Sequence, residues 1–283
     1  MSKRMKRVFL GFFIIFPISL CAGGIALCLT VSPGAFCAQN VEPGKDIDTG
    51  TDVTINNDTD KDREFSIEVV PARKTSTESL KGYSPMPDTA WLSLEKTQVM
   101  VPAHGEAKSR LFIHIPDEER YYNQKWAVSC LIQYIGQKGL FQEAIQTLYL
   151  FETKSKAPVT LRPDGNMAVV PGVIKATGTD SKVRFKLFNN TAEKHTYTIK
   201  TFKPENNTGK TEVSSTPGLS WVKKISWVSP VSKKVNVGPG MEKDVELKMQ
   251  VPKSELKDGK GVEAVIFIDS DDGEQRFVRV QVE

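Results

Sequence analysis

The sequence predicts an all-β protein of two tandem immunoglobulin-like β-sandwich domains, preceded by an N-terminal signal or anchor segment. Three observations carry that expectation: an internal repeat, side chains that alternate with period two inside each copy, and turn-forming residues between short strands. The repeat is clearest between Trp91–Pro116 (WLSLEKTQVMVPAHGEAKSRLFIHIP) and Trp227–Pro252 (WVSPVSKKVNVGPGMEKDVELKMQVP), which align without gaps at an offset of 136. A second pair, VTINNDTDKDREFSIEVV from Val53 and FKLFNNTAEKHTYTIKTF from Phe185, aligns at 132. A third, Leu29–Pro33 with Val159–Pro163, aligns at 130. Insertions confined to loops produce such a slow drift.

Within the first copy Leu111, Ile113 and Ile115 alternate with Phe112 and His114. Within the second, Leu247, Met249 and Val251 alternate with Lys248 and Gln250. One apolar and one polar face mark a half-buried antiparallel strand. Val53/Ile55 and Phe65/Ile67 flank the polar turn NNDTDKDR, and Phe185/Leu187 and Tyr197/Ile199 flank NNTAEKH, so each copy has a second strand pair. A short helical turn is expected in Pro116–Arg120. The expected organisation is a signal or anchor over 1–28, domains over 29–153 and 159–283, and a charged, unpatterned linker over 154–158.

Lys3, Arg4, Lys6 and Arg7 precede an uncharged stretch from Val8 to about Val31. A basic flank before an apolar run is the layout of a secretory signal. The run also reaches the roughly 20 residues that a membrane anchor needs. Both readings, and a weaker one of a lipidated cysteine, send the rest of the chain out of the cytoplasm. The whole chain carries 38 basic and 34 acidic residues, a net charge of +4. The four n-region cations account for all of that excess. A neutral body gives no electrostatic case for nucleic-acid binding. Contact with a membrane is expected only through an uncleaved N-terminal segment.

The plan of each copy runs through a strand closing on Ser-Pro or Arg-Pro, a strand pair around an Asn-rich turn, a Trp-x-Ser element, a Val-x-Val strand, a Gly-containing turn and a strand closing on Pro. Over residues 29 to 283 it resembles the tandem Ig-like domains of bacterial envelope proteins, the WxL-interacting type and, more distantly, fimbrial chaperones. The WxL-interacting type implies a C-terminal membrane helix, whereas this chain ends in FVRVQVE, which reads as a strand. The chaperones imply a basic pair in the inter-domain cleft that holds a subunit's C-terminus; the sequence alone does not place it.

The search for chemistry yields no catalytic, cofactor or metal set. His114 aligns with Gln250, His195 with Arg63 and His104 with Gly240, so all three histidines read as surface residues. No Cys/His spacing suits zinc, and no nucleophile elbow occurs. The acidic run Asp269–Glu274 reads as a hairpin turn, with calcium as the rival reading. Asn57, Asn189 and Asn206 each begin an Asn-x-Thr triplet and read as turn chemistry rather than glycosylation sites. Trp91 and Trp227 align and read as packing residues. Tyr121, Tyr122, Trp126 and Trp221 are read either as loop aromatics that bind a partner or as packing. Cys37 and Cys130 form a disulfide or remain two buried thiols; Cys130 aligns with Ile266, which favours a core position.

These readings converge on a non-enzymatic, exported envelope protein that binds or scaffolds a surface protein or a wall polymer. The alternative is a chaperone-like protein that assists secreted subunits by strand addition.

Overall fold

The computed structural model describes residues 29–72, 80, 82–136, 144–178, 180–204, 213–256 and 261–283. The N-terminal signal or anchor reading and the Asn206 triplet lie outside the described residues.

Among the described residues ten strands form the first sandwich: β1 Thr30–Ser32, β2 Ala35–Val41, β3 Asp46–Asn57, β4 Arg63–Pro71, β5 Ser84–Pro85, β6 Leu92–Leu94, β7 Gln98–Val101, β8 Gly105–His114, β9 Lys125–Tyr134 and β10 Ala144–Thr153. The second repeats the series: β11 Met167–Val170, β12 Val173–Ala176, β13 Lys182–Asn189, β14 His195–Thr201, β15 Ser220–Trp221, β16 Val228–Pro230, β17 Lys234–Val237, β18 Glu242–Met249, β19 Val262–Ser270 and β20 Gln275–Val282. In each, a four-stranded sheet (β1-β3-β8-β6; β11-β13-β18-β16) faces a larger one (β2-β10-β9-β4-β7 with β5 on β9; β12-β20-β19-β14-β17 with β15 on β19). The helical turn expected in Pro116–Arg120 is a 3-10 turn displaced to Glu119–Tyr121.

Alternation explains the cores. Val53, Ile55, Leu111 and Ile113 point inward and are buried, while Arg110, Phe112 and His114 face outward. Val245, Leu247 and Met249 repeat the pattern. Each such side chain contributes roughly 1.5–3 kcal/mol by leaving water. Trp91 and Trp227 lie half-buried against the two cores, as packing residues do.

Register corrects the third repeat pair. Val31 lies opposite Ile55, and Val169 lies opposite Leu187. Val31-Ser32-Pro33 therefore corresponds to Val169-Val170-Pro171, an offset of 138 rather than 130. Residues 159–163 carry no strand. A Pro-closed segment of five residues is too short to fix a register.

The duplication reaches individual atoms at the Asn-x-Thr turns. Asn57 Nδ2 donates to the carbonyls of Lys61, Val101 and Pro102 at 2.8, 3.1 and 3.0 Å. Asn189 Nδ2 donates to Glu193, Val237 and Gly238 at 2.7, 3.2 and 3.0 Å. In each turn the Asn Oδ1 accepts from the backbone N–H and hydroxyl of the threonine two residues on. Both amides are buried, so these asparagines act as turn braces. Asn189→Ala leaves three carbonyls short of a donor and is expected to destabilise the protein by about 2–3 kcal/mol. Asn57→Ala is expected to cost a similar amount. Urea unfolding with intrinsic fluorescence measures both; a loss below 0.5 kcal/mol on the scale of surface substitutions contradicts the brace.

Candidate functional site

The two larger sheets turn their outer faces toward each other. Ala127 on β9 and Leu150 on β10 pack with Val265 and Phe267 on β19 and Phe277 on β20. The excursions between β4 and β6, and between β14 and β16, complete the layer with Ala72, Leu80, Tyr83 and Val213. Tyr83 meets Phe277 edge-on at 5.4 Å, and Phe277 meets Phe267 at 5.7 Å. β19 and β20 are thus buried on both faces.

A charged cluster lies within this layer. Arg279 on β20 is 1% exposed. Its Nε and Nη2 donate to the two oxygens of Glu152, at the end of β10, at 2.7 and 2.6 Å. Its Nη1 donates to the carboxylate of Glu263 at 2.5 Å and to the Ser214 carbonyl at 2.9 Å. The Tyr83 hydroxyl donates to Glu152 at 2.8 Å. Gln281 bonds both Glu263 and Thr216. Burial pushes the Glu152 carboxyl upward, but the Arg279 fork, Lys125 and Tyr83 more than offset it and hold it below its usual range. Burial pulls the Arg279 guanidinium down, and its hydrogen bonds to Glu152 lead a net rise.

Lys125, at the start of β9, is the second buried cation. Its Nζ sits 4.5 Å from the centre of the Phe277 ring. Burial lowers its pKa to about 8, against the opposing pull of Glu152. Arg279 and Lys125 thus form a buried basic pair between the sandwiches. Here the guanidinium is forked on the chain's own Glu152. Among the described residues no group of His, Cys, Asp and Glu is arranged to hold a metal.

The connection between sandwiches is pinned to the same region. Asn123, in the left-handed region at φ 63°, accepts from Gly172 N–H at 2.9 Å, Lys156 N–H at 3.0 Å and the Ser155 hydroxyl at 3.1 Å. Glu119 accepts from the Thr160 hydroxyl and from Leu161 N–H. These bonds hold the Glu119 carboxyl down to about 2, the Thr160 hydroxyl leading.

The structure separates the site residues expected from sequence. Cys37 and Cys130 are free thiols. Cys37 faces the layer between sandwiches, close to Tyr83 and Glu152, whereas Cys130 points into the first core, so the same sheet stands between them. Burial pushes both thiols up to about 12. Tyr121 and Trp126 are buried, meeting Trp91 at ring distances of 4.9 and 5.3 Å and each other at 5.7 Å, so they offer no face to a partner. Trp221 covers the inter-sandwich layer beside Phe202. Tyr122 is half-buried, bonded to Asp117 and flanked by Lys156.

The histidines divide. His104 and His114 are exposed and pair with Asp60 and Asp46 at 2.8 and 2.7 Å. His195 is buried, contrary to the surface reading: it begins β14 and bonds Asp271 at 2.7 Å. The acidic run is the β19–β20 hairpin, with Gly273 at φ 89°. Asp269 pairs with Lys200, and Glu274 with Arg276.

Two sheet edges complete the geometry. β2 begins opposite Leu148, so it covers only the second half of β10. Leu148 N–H donates to Gly34. By alternation, the backbone groups of Ala144 and Gln146 point away from β9 toward an edge on which no described strand lies. The corresponding edge of β20 is Gln275–Val278, and there Arg276 Nη1 donates back to the Gln275 carbonyl at 2.9 Å. The first edge bears no proline and no charge; the second caps itself. Sequence reasoning missed Arg279, Glu152 and Lys125. One signal was present: VEAVIF in β19 is nearly continuous in apolar residues, as befits a strand buried on both faces.

The fold is that of two tandem Ig-like β-sandwiches. No protein-family model matches the chain, and no curated protein matches it. Among solved structures it is similar to a Porphyromonas gingivalis W83 protein of unknown function, at 15% identity over 90% of this chain and 99% of that one, TM-score 0.34. It is similar to the E. coli chaperone DraB at 10% identity over 89% and 98%, TM-score 0.31. It is also similar to the CsuC-CsuE chaperone-tip adhesion subunit pre-assembly complex of Acinetobacter baumannii at 12% identity over 90% and 99%, TM-score 0.31.

Arg279→Met strands two buried carboxylates and is expected to cost about 3–5 kcal/mol, with Arg279→Met/Glu152→Met recovering part of the loss. Equilibrium unfolding of the cycle checks the coupling. Lys125 behaves oppositely. Its folded pKa lies below the free-lysine value, so its burial cost is complete below about pH 8 and fades as pH climbs toward 10.5. Lys125→Met is therefore expected to stabilise the protein by about 3 kcal/mol at pH 7 and by progressively less up to pH 10.5. A gain independent of pH refutes the assignment. For His195 the Asp271 hydrogen bond leads a rise in pKa. Its contribution is complete below the free-histidine value near 6.5 and is lost as pH rises through the folded one. Stability should fall over that window, and His195→Gln should flatten the profile.

Proposed function

We propose that this chain is an exported, non-enzymatic binding protein of the cell envelope that captures an extended segment of a partner protein on the open edge of its first sandwich. The observation that carries the reading is the edge of β10 at Ala144–Thr147, uncharged and covered by no strand among the described residues, set against the self-capped edge at Gln275–Val278. An open edge is a template for another strand unless the chain blunts it, and strand addition draws its affinity from backbone hydrogen bonds. Ile145 packs against the first core, so an added strand would extend an apolar inner face. The second sandwich, bolted on through Arg279 and Glu152, holds the far end of the same strand. Burial of Tyr121 and Trp126 removes two of the four anchors on which loop-based recognition of a surface protein or wall polymer would rely. Export rests on the basic residues and apolar run at the N-terminus.

Gln146→Pro deletes an N–H that faces the open edge and leaves the bonds to β9 intact, which an edge strand tolerates. The chain without residues 1–28, immobilised and incubated with envelope extract, is expected to retain a specific protein that Gln146→Pro loses by tenfold or more. Equal recovery by both forms, with unchanged circular dichroism, sinks the strand-capture reading.

A further inference from the structure

A groove of about 860 Å³ lies on the outer face of the β11-β13-β18 sheet, beneath the chain that joins the sandwiches. Its floor is apolar: Val170 and Phe188 are both buried, beside Ala168. Pro158, Leu161 and Pro171 form its walls. The first sandwich shows what this face is without a groove. Register equates Ala168, Val170 and Phe188 with Thr30, Ser32 and Asn56. Three positions that are polar in the first copy are thus apolar in the second. Val159 covers part of this floor, while Leu161 remains 57% exposed above it.

Charge at the mouth is directional. Arg162 stacks its guanidinium 5.5 Å from the centre of the Phe188 ring and donates to the Asn190 amide oxygen at 3.2 Å. Among the described residues no carboxylate lies within ion-pair distance of it. On the opposite rim Glu242 is tied to Lys186, and Asp244 faces Lys186 in register. Glu119 fixes the Thr160–Leu161 roof beside Arg162.

We propose that this groove binds a free, single-chain anionic amphiphile, its alkyl chain against Val170, Phe188 and Leu161 and its carboxylate on Arg162. The volume lies in the range of small-ligand sites, where an apolar lining supplies affinity and one or two polar groups fix orientation. The site is independent of the β10 edge and of any strand partner.

The test is calorimetric titration of the chain lacking residues 1–28 with monomeric dodecanoate, with dodecyltrimethylammonium as the cationic control. Saturable binding of one dodecanoate per chain is expected, at least tenfold tighter than the control. Phe188→Asn, which restores the first-sandwich residue, should weaken dodecanoate at least tenfold, and Arg162→Gln should abolish the preference for the anion. Val170→Thr serves as the floor variant where Phe188→Asn does not give wild-type circular dichroism. Absence of saturable binding, equal affinity for the cation, or undiminished dodecanoate binding by a folded floor variant overturns the proposal.

Discussion

The fork of Arg279 on Glu152 is the interaction around which the rest of the molecule is arranged. A guanidinium and two carboxylates removed from water are tolerable only when every strong donor and acceptor finds a partner. Meeting that condition fixes β20 against the end of β10. It also requires the excursion carrying Tyr83 to lie across the layer, and it orients Glu263 and Gln281 along β19 and β20. The apolar layer of Leu150, Val265, Phe267 and Phe277 supplies the attraction between the sandwiches. The charged cluster supplies the register, since apolar contacts alone would allow the two sheets to slide. Asn123 and Glu119 then hold the connecting chain along the same junction, so that the two copies present fixed edges and faces.

The two sandwiches share one plan, and the points where they differ give each surface its meaning. Wherever the copies agree, the cause is structural: the two asparagine braces, the paired tryptophans and the inward strand positions serve the sandwich itself. Differences appear where one copy has a neighbour or an opening that the other lacks. Arg276 seals an edge in the second copy, while among the described residues no strand lies on the matching edge of the first. Ala168, Val170 and Phe188 replace polar residues where the connecting chain crosses the sheet. His195 and Asp271 tie a hairpin in the second copy, whereas Arg63 stacks on Tyr134 in the first.

Much of the sandwich was legible from the residues. Alternation at 111–115 and 247–251 marked half-buried strands because one face of each is wet. The Asn-x-Thr turns were legible because a short amide side chain mimics a turn of backbone. The cluster between the sandwiches was not. In FVRVQV, Arg279 and Gln281 occupy the alternate positions that a solvent-facing row would occupy, and only the docking of the other sheet turns that row inward. Local sequence left Tyr121 and Trp126 open between loop aromatics and packing residues, because their neighbours are polar; long-range packing against Trp91 draws them into the core. Likewise, spacing along the chain says nothing of sheet face, so it left open whether Cys37 and Cys130 pair or stay apart, and they lie on opposite sides of one sheet.

By itself the sequence determined the local and repetitive properties: strand period, turn chemistry, the duplication and the neutral charge of the body. These depend on neighbours within a few residues, where sterics and hydrogen bonding act without reference to the rest of the fold. Tertiary structure alone decided which outward faces became inward ones, which cations were buried and which edge stayed open. Those outcomes follow from the meeting of surfaces more than a hundred residues apart, and no local pattern encodes that meeting.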